Sequence, residues 1–160
     1  MRRFIRGFNI TILLVVMLFS SVAYASDNKI ETFGDIGIFG NYAPTSYWNL
    51  GDSDYSFSGT FREYTNTNYY FRPSFSGHLY LSIDGEVASG STSTLFYSIY
   101  ERDLYDGVWK EVSNDSLGRS SSWDKIYRIS KLNTSFDYYF KFHKPNDGER
   151  IKISGKVYRI

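Results

Sequence analysis

The chain has 160 residues, 18 Lys and Arg against 17 Asp and Glu, two His and no Cys. The lack of Cys excludes thiol catalysis, thiolate metal sites and a disulfide-stapled fold. The charges are nearly balanced and interspersed, which gives no basic patch for a nucleic acid or an anionic membrane.

Arg2, Arg3 and Arg6 precede an apolar run over residues 10–19, and Ala23 and Ala25 flank Tyr24. This is the pattern of a secretory signal peptide over residues 1–25, cut after Ala25. The run falls short of the roughly 20 residues that cross a bilayer, and no Cys follows it for lipid attachment. Removing 25 of the 160 residues leaves 135, residues 26–160, a normal length for one domain with its own core. Three Arg leave with the leader and no acid does, so 15 Lys and Arg face 17 Asp and Glu in the mature chain. The expectation is a secreted domain with no membrane partner after cleavage. A cysteine-free secreted domain of this size fits a bacterium, and a Gram-positive one in particular.

Residues 26–54 are rich in Gly but also carry Phe33, Ile36, Ile38, Tyr47 and Trp48. They are too apolar for a linker and are expected to form short strands and turns closing one side of the domain. From Tyr55 the period is two, the mark of half-buried strands. Tyr55, Phe57, Gly59 and Phe61 share one face. Tyr69 and Phe71 begin another strand, which turns at Pro73 or at Ser76 and Gly77. Leu79, Leu81 and Ile83 form the clearest strand, followed by Asp84-Gly85 as a turn. Leu95, Tyr97 and Ile99 alternate with Phe96, Ser98 and Tyr100, so both faces are apolar, as in a central strand.

Asp106-Gly107 predicts a hairpin turn, after which Val108, Lys110 and Val112 alternate with Trp109 and Glu111. The Ser-rich stretch 114–122 reads as a loop, 123–132 as a strand and 133–136 as a turn. Phe136, Tyr138, Phe140 and Phe142 share one parity and are expected inside, leaving Tyr139 alone among the rings on the polar face. Lys144 to Gly148 reads as a hairpin loop returning as a last strand with Ile151, Ile153 and Val157 inward. Nothing helical is required. The predicted fold is all-β, a single antiparallel β-sandwich of jelly-roll type.

Little here points to chemistry. His78 and His143 fall on polar strand faces, and no nucleophile elbow or zinc-protease helix motif is present. Glu86, Glu101, Asp103 and Asp106 are the candidate carboxylates for glycoside hydrolysis. Most acids, however, sit beside Gly in turns, which explains them without catalysis. The chain is not expected to be an enzyme. No cofactor is expected either. Calcium held by Asp52 and Asp54 is the one metal the sequence leaves open.

Tyr24, Phe4, Phe8 and Phe19 leave with the leader, so 14 Tyr, 10 Phe and 3 Trp remain. A core this size absorbs most Phe but not every Tyr. Strands favour aromatic residues, which explains any single ring. Some of the rings are still expected to form an exposed cluster that contacts a polysaccharide or an extracellular protein. Tyr47, Trp48, Trp109, Trp123 and Tyr139 are the candidates. Tyr69, Tyr70, Tyr100 and Tyr105 also lie at strand ends or loops. The competing expectation is a structural protein of the extracellular matrix or surface that self-associates through a sheet face or edge.

Two stretches, YYFRPSFSGHLYLSIDGEV (69–87) and YRISKLNTSFDYYFKFHKPNDGERIKISGKV (127–157), are similar to the bacterial pre-peptidase C-terminal domain and related jelly-roll modules. Leu79, Leu81, Ile83, Leu132, Tyr138, Tyr139 and Phe140 carry the likeness. TSFD at 134–137 replaces the usual Gly before the Tyr. The resemblance spans about two-thirds of the mature chain. It implies a sandwich with an accessory, non-catalytic role and carries over no functional residue.

Overall fold

Alternating apolar and polar residues sort the chain into strands. The structure, a computed structural model, describes residues 40–160. The leader pattern and residues 26–39 lie outside the described residues. Ten strands occur, and no helix is found among the described residues: β1 (Ser46–Tyr47), β2 (Tyr55–Phe61), β3 (Tyr64–Asn66), β4 (Tyr69–Tyr70), β5 (Leu79–Val87), β6 (Ser93–Arg102), β7 (Trp109–Ser120), β8 (Ser122–Ile129), β9 (Asp137–His143) and β10 (Ile151–Tyr158).

Two four-stranded antiparallel sheets pack face to face, in the orders β2-β10-β5-β8 and β3-β9-β6-β7. Short β1 pairs in parallel with β4. Set those two aside and count the remaining eight strands along the chain. One sheet then reads first, eighth, third, sixth, and the other second, seventh, fourth, fifth. That is the strand order of a jelly roll, two interlocked Greek keys closing one sandwich.

The inward faces follow the alternation. Tyr55, Phe57 and Phe61 of β2, Leu79, Leu81, Ile83 and Val87 of β5, and Ile151, Ile153 and Val157 of β10 are buried from one sheet. Leu95, Tyr97 and Ile99 of β6 and Tyr138, Phe140 and Phe142 of β9 are buried from the other. Rings meet across the gap: Phe57 and Phe142 lie 5.2 Å apart, Tyr97 and Tyr127 5.0 Å. Phe71 bridges to Tyr138 and packs 5.1 Å from Tyr55. Burying a Phe stabilises by about 1.5–3 kcal/mol, so the aromatic string of β9 is a main support of the core.

Three expectations change. Asp84-Gly85 is not a turn but lies within β5, where Gly85 pairs with both Ile153 and Trp123. A Cβ at Gly85 would sit 3.3 Å from the Lys152 carbonyl oxygen of the paired strand and in ordinary contact, 3.5 Å, with the Trp123 ring. The Ser-rich stretch 114–122 is not a loop: residues 114–120 complete β7. Only Ser121 separates β7 from β8, so the chain passes from the edge of one sheet to the edge of the other almost without interruption. β9 and β10 form no hairpin. β9 pairs with β3 and β6, while β10 pairs with β2 and β5, so residues 144–150 cross between sheets. Turn residues encode a reversal, not the partner found after it.

That crossing is pinned at one end of the sandwich. The Lys144 side chain is fully buried, and its ammonium donates to Arg62 O at 3.0 Å, to Pro145 O at 2.7 Å and to Asp147. Ser93 Oγ donates to the other Asp147 oxygen at 2.6 Å. Segments 67–78, 103–108 and 130–136 gather at the opposite end, where Leu132 N–H donates to Gly77 O at 3.0 Å.

Candidate functional site

The outer face of the β3-β9-β6-β7 sheet is where the sequence leaves rings unburied by the core. Residues directly opposite on neighbouring antiparallel strands point to the same face. The register therefore lays out four rungs. The first is Asp137, Arg102, Trp109. The second is Tyr139, Tyr100, Glu111. The third is Asn66, Lys141, Ser98, Asn114, and the fourth Tyr64, His143, Phe96, Ser116. Two bulges in β7, which carry Val112 and Leu117 out of register, keep it matched to β6. The first bulge follows Glu111, so Trp109 and Glu111 stand opposite Arg102 and Tyr100.

Stacking joins the first two rungs. Tyr100 and Tyr139 lie parallel at 4.8 Å, and Trp109 meets Tyr139 edge-on at 4.7 Å. Tyr139 is thereby only 5% exposed although it lies outside the core. Burial, and then the nearby Glu111 charge, push its phenol up to about 12. Tyr100 Oη donates to Glu111 Oε2 at 2.7 Å. Its phenol is raised by burial first, then by that bond.

β1 and the segment after β4 extend the patch. Tyr70 lies 6.0 Å from Trp109 and 5.7 Å from Tyr47. The Arg102 guanidinium sits 4.6 Å over Tyr70 and 4.5 Å over Trp109. Arg72 lies 5.3 Å over Tyr47. Both cations converge on one carboxylate: Arg72 Nε donates to Asp137 Oδ1 at 2.9 Å and Arg102 Nη2 to Oδ2 at 2.7 Å. The Asp137 side chain is fully buried, so the two arginines supply the pairing that a buried carboxylate requires.

Tyr47, Trp109 and Tyr139 are thus brought together. Trp48 and Trp123 are not. Trp123 is 4% exposed, packs in the core and donates its indole N–H to Gly118 O at 3.1 Å. Trp48 packs against the core beside Tyr55 and Tyr69, with its N–H on Ser53 O. Trp123 is therefore a core ring and not a surface ring, because it fills space between the sheets, while Trp48 is half-buried beneath a turn, away from the Tyr47, Trp109 and Tyr139 cluster. Asp52 and Asp54 do not converge either. Asp52 accepts from Asn49 at 2.9 Å, and Asp54 faces Lys156 at 3.9 Å. Among the described residues no three His, Cys, Asp or Glu side chains gather as a metal site.

The remaining titratable candidates are dispersed. His143 stacks on Phe96 at 5.2 Å and lies 3.2 Å from Ser98 Oγ, while His78 lies 2.6 Å from Arg128. Glu86 pairs with Lys152, Glu101 accepts from Tyr138, and Asp103 and Asp106 hold turn amides.

Arg72, Arg102, Asp137 and Glu111 were not singled out from sequence. One signal was legible: Asp137 and Tyr139 share the outward parity of an otherwise aromatic strand, and a charge there needs a partner. No protein-family model matches the chain, and no curated protein matches it in sequence.

Proposed function

We propose that this chain is an exported, non-catalytic β-sandwich that binds an extracellular polysaccharide through the outer face of the β3-β9-β6-β7 sheet. The observation that carries this reading is the continuous run Tyr47, Tyr70, Trp109, Tyr139 and Tyr100, held rigid by ring contacts of 4.7–6.0 Å. Rings with one wet edge offer apolar area to the C–H faces of sugars, and the neighbouring Glu111, Arg72 and Arg102 offer hydrogen bonds to hydroxyls. Preorganisation lowers the ordering cost of binding. Tyr47, 39% exposed, and the half-buried Trp109 form the accessible rim, with Tyr139 as the floor. The leader pattern over residues 2–25 supports export, and the likeness to pre-peptidase C-terminal modules supports an accessory role.

The test is retention of the purified protein on insoluble peptidoglycan and a panel of polysaccharides, with Tyr47→Ala and Trp109→Ala beside it. Retention of the parent, lost in a variant whose thermal unfolding is unchanged, is the expected result. If no glycan retains the parent, the reading fails.

A further inference from the structure

Resting on that reading of the face, we infer that the saccharide bound there is acidic, and that Arg72 and Arg102 grip its carboxylate or phosphate group. One arginine would neutralise Asp137, yet two converge on it. Asp137 is the only carboxylate within ion-pair distance of either guanidinium among the described residues. The trio therefore keeps one surplus positive charge. Each arginine contributes a single nitrogen to Asp137, out of the five N–H bonds a guanidinium offers. Both stay in reach of solvent, with side chains 44% and 21% exposed.

The surplus charge is also held in a fixed orientation. Arg102 lies over Tyr70 and Trp109, and Arg72 over Tyr47. The rings beside each guanidinium and the buried carboxylate hold both forks in place, and a guanidinium so held can take a carboxylate or a phosphate on its free N–H bonds. The other acid of the patch, Glu111, is taken up by Tyr100 and Asn114, with Lys141 one rung further along the face to balance it in the charge count. The rings thus present apolar area directly beside a preset anion grip. That juxtaposition suits a sugar with an acidic substituent better than a neutral one.

The experiment compares charged glycans with their neutral twins: polygalacturonate against its methyl ester, and phosphorylated mannan against mannan. Affinity electrophoresis of the intact protein is run at low and at raised salt. Arg72→Gln and Arg72→Lys carry the test, because Arg102 still partners Asp137 in both, and thermal unfolding checks that they fold. The expected result is tighter retention by the charged twin, weakened by salt. In Arg72→Gln the preference falls about ten-fold, the worth of one charge-assisted bond, and Arg72→Lys restores it in part. Whether carboxylate or phosphate is preferred follows from which pair shows the larger difference. Equal retention of charged and neutral twins, lost in Tyr47→Ala, overturns the acidic ligand while leaving the saccharide reading. Charged retention that ignores Arg72→Gln also overturns it. Retention of none of the four overturns the acidic ligand, and failure on the peptidoglycan and polysaccharide panel as well overturns the saccharide reading.

Discussion

At Gly155 a methyl group would sit 2.0 Å from the Ser82 carbonyl oxygen and 2.7 Å from the Phe57 ring. The first neighbour is backbone of a paired strand and cannot swing aside. Gly155→Ala is therefore expected to destabilise by about 3 kcal/mol or more, at the upper end of overpacking costs. Denaturant unfolding measures it, and a loss within experimental error would mean that β5 and β10 are not as close as described. Asp137 is the polar counterpart. Asp137→Asn leaves two guanidiniums without their shared anion, at a cost of about 3 kcal/mol, the lower end for broken buried pairs because both arginines touch solvent. His143 adds a pH dependence. Burial, and then Lys141, lower its imidazole from the ordinary 6.5. Between that value and the folded one the unfolded chain binds more protons, so stability falls as pH drops through the window. Midpoints compared at about pH 7.5 and about pH 5.5 are expected to converge in His143→Gln. An unchanged difference would assign the effect elsewhere.

The 144–150 crossing joins the two sheets at one end through Lys144 and Asp147. Burial alone would raise Asp147, but Lys144, Ser93 and the Glu149 N–H outweigh it and hold the carboxyl at about 2, below its ordinary 3.8. A depressed carboxyl contributes stability that is complete above its unfolded value and is lost as pH falls through the folded one. Its window is therefore about 3.8 down to about 2. The side chain is 32% exposed, so solvent screens the pair and the contribution is modest. Asp147→Asn is expected to flatten the acid limb of the stability profile in that window and leave neutral-pH ring packing unchanged. Acid unfolding followed by near-ultraviolet circular dichroism tests it, and an unaltered acid limb would contradict it. β7 teaches a different lesson. Its bulge at Val112 is what puts Asn114 and Ser116 on the same face as Trp109 and Glu111, and the bulge at Leu117 ends that run; nothing in a run of Ser, Asn and Asp announces them.

Across the whole molecule, the jelly roll gives β10, β5, β9 and β6 two neighbours each and leaves β2, β8, β3 and β7 at sheet edges. Amide hydrogen exchange is expected to be slowest in the four inner strands and faster along the open edges of β7 and β8. Equal protection of inner and edge strands would argue for a further partner covering those edges. The alternation of Leu79, Leu81 and Ile83, or of Tyr138, Phe140 and Phe142, could be read from the chain because a strand sends successive side chains to opposite faces whatever it pairs with. That local rule determined the all-β class, most strand positions and nearly all of the core. Pairing is another matter, since every strand presents the same backbone donors and acceptors. So the turn residues after His143 suit a hairpin that does not form, and Trp123 is buried because β8 pairs with β5 and turns that ring inward. The same holds for the binding face. Its rings and charges come from residues 47, 70, 72, 100, 102, 109, 137 and 139, and only the closing of the sandwich, driven by burial of the apolar faces, sets Arg72 and Arg102 on one buried carboxylate.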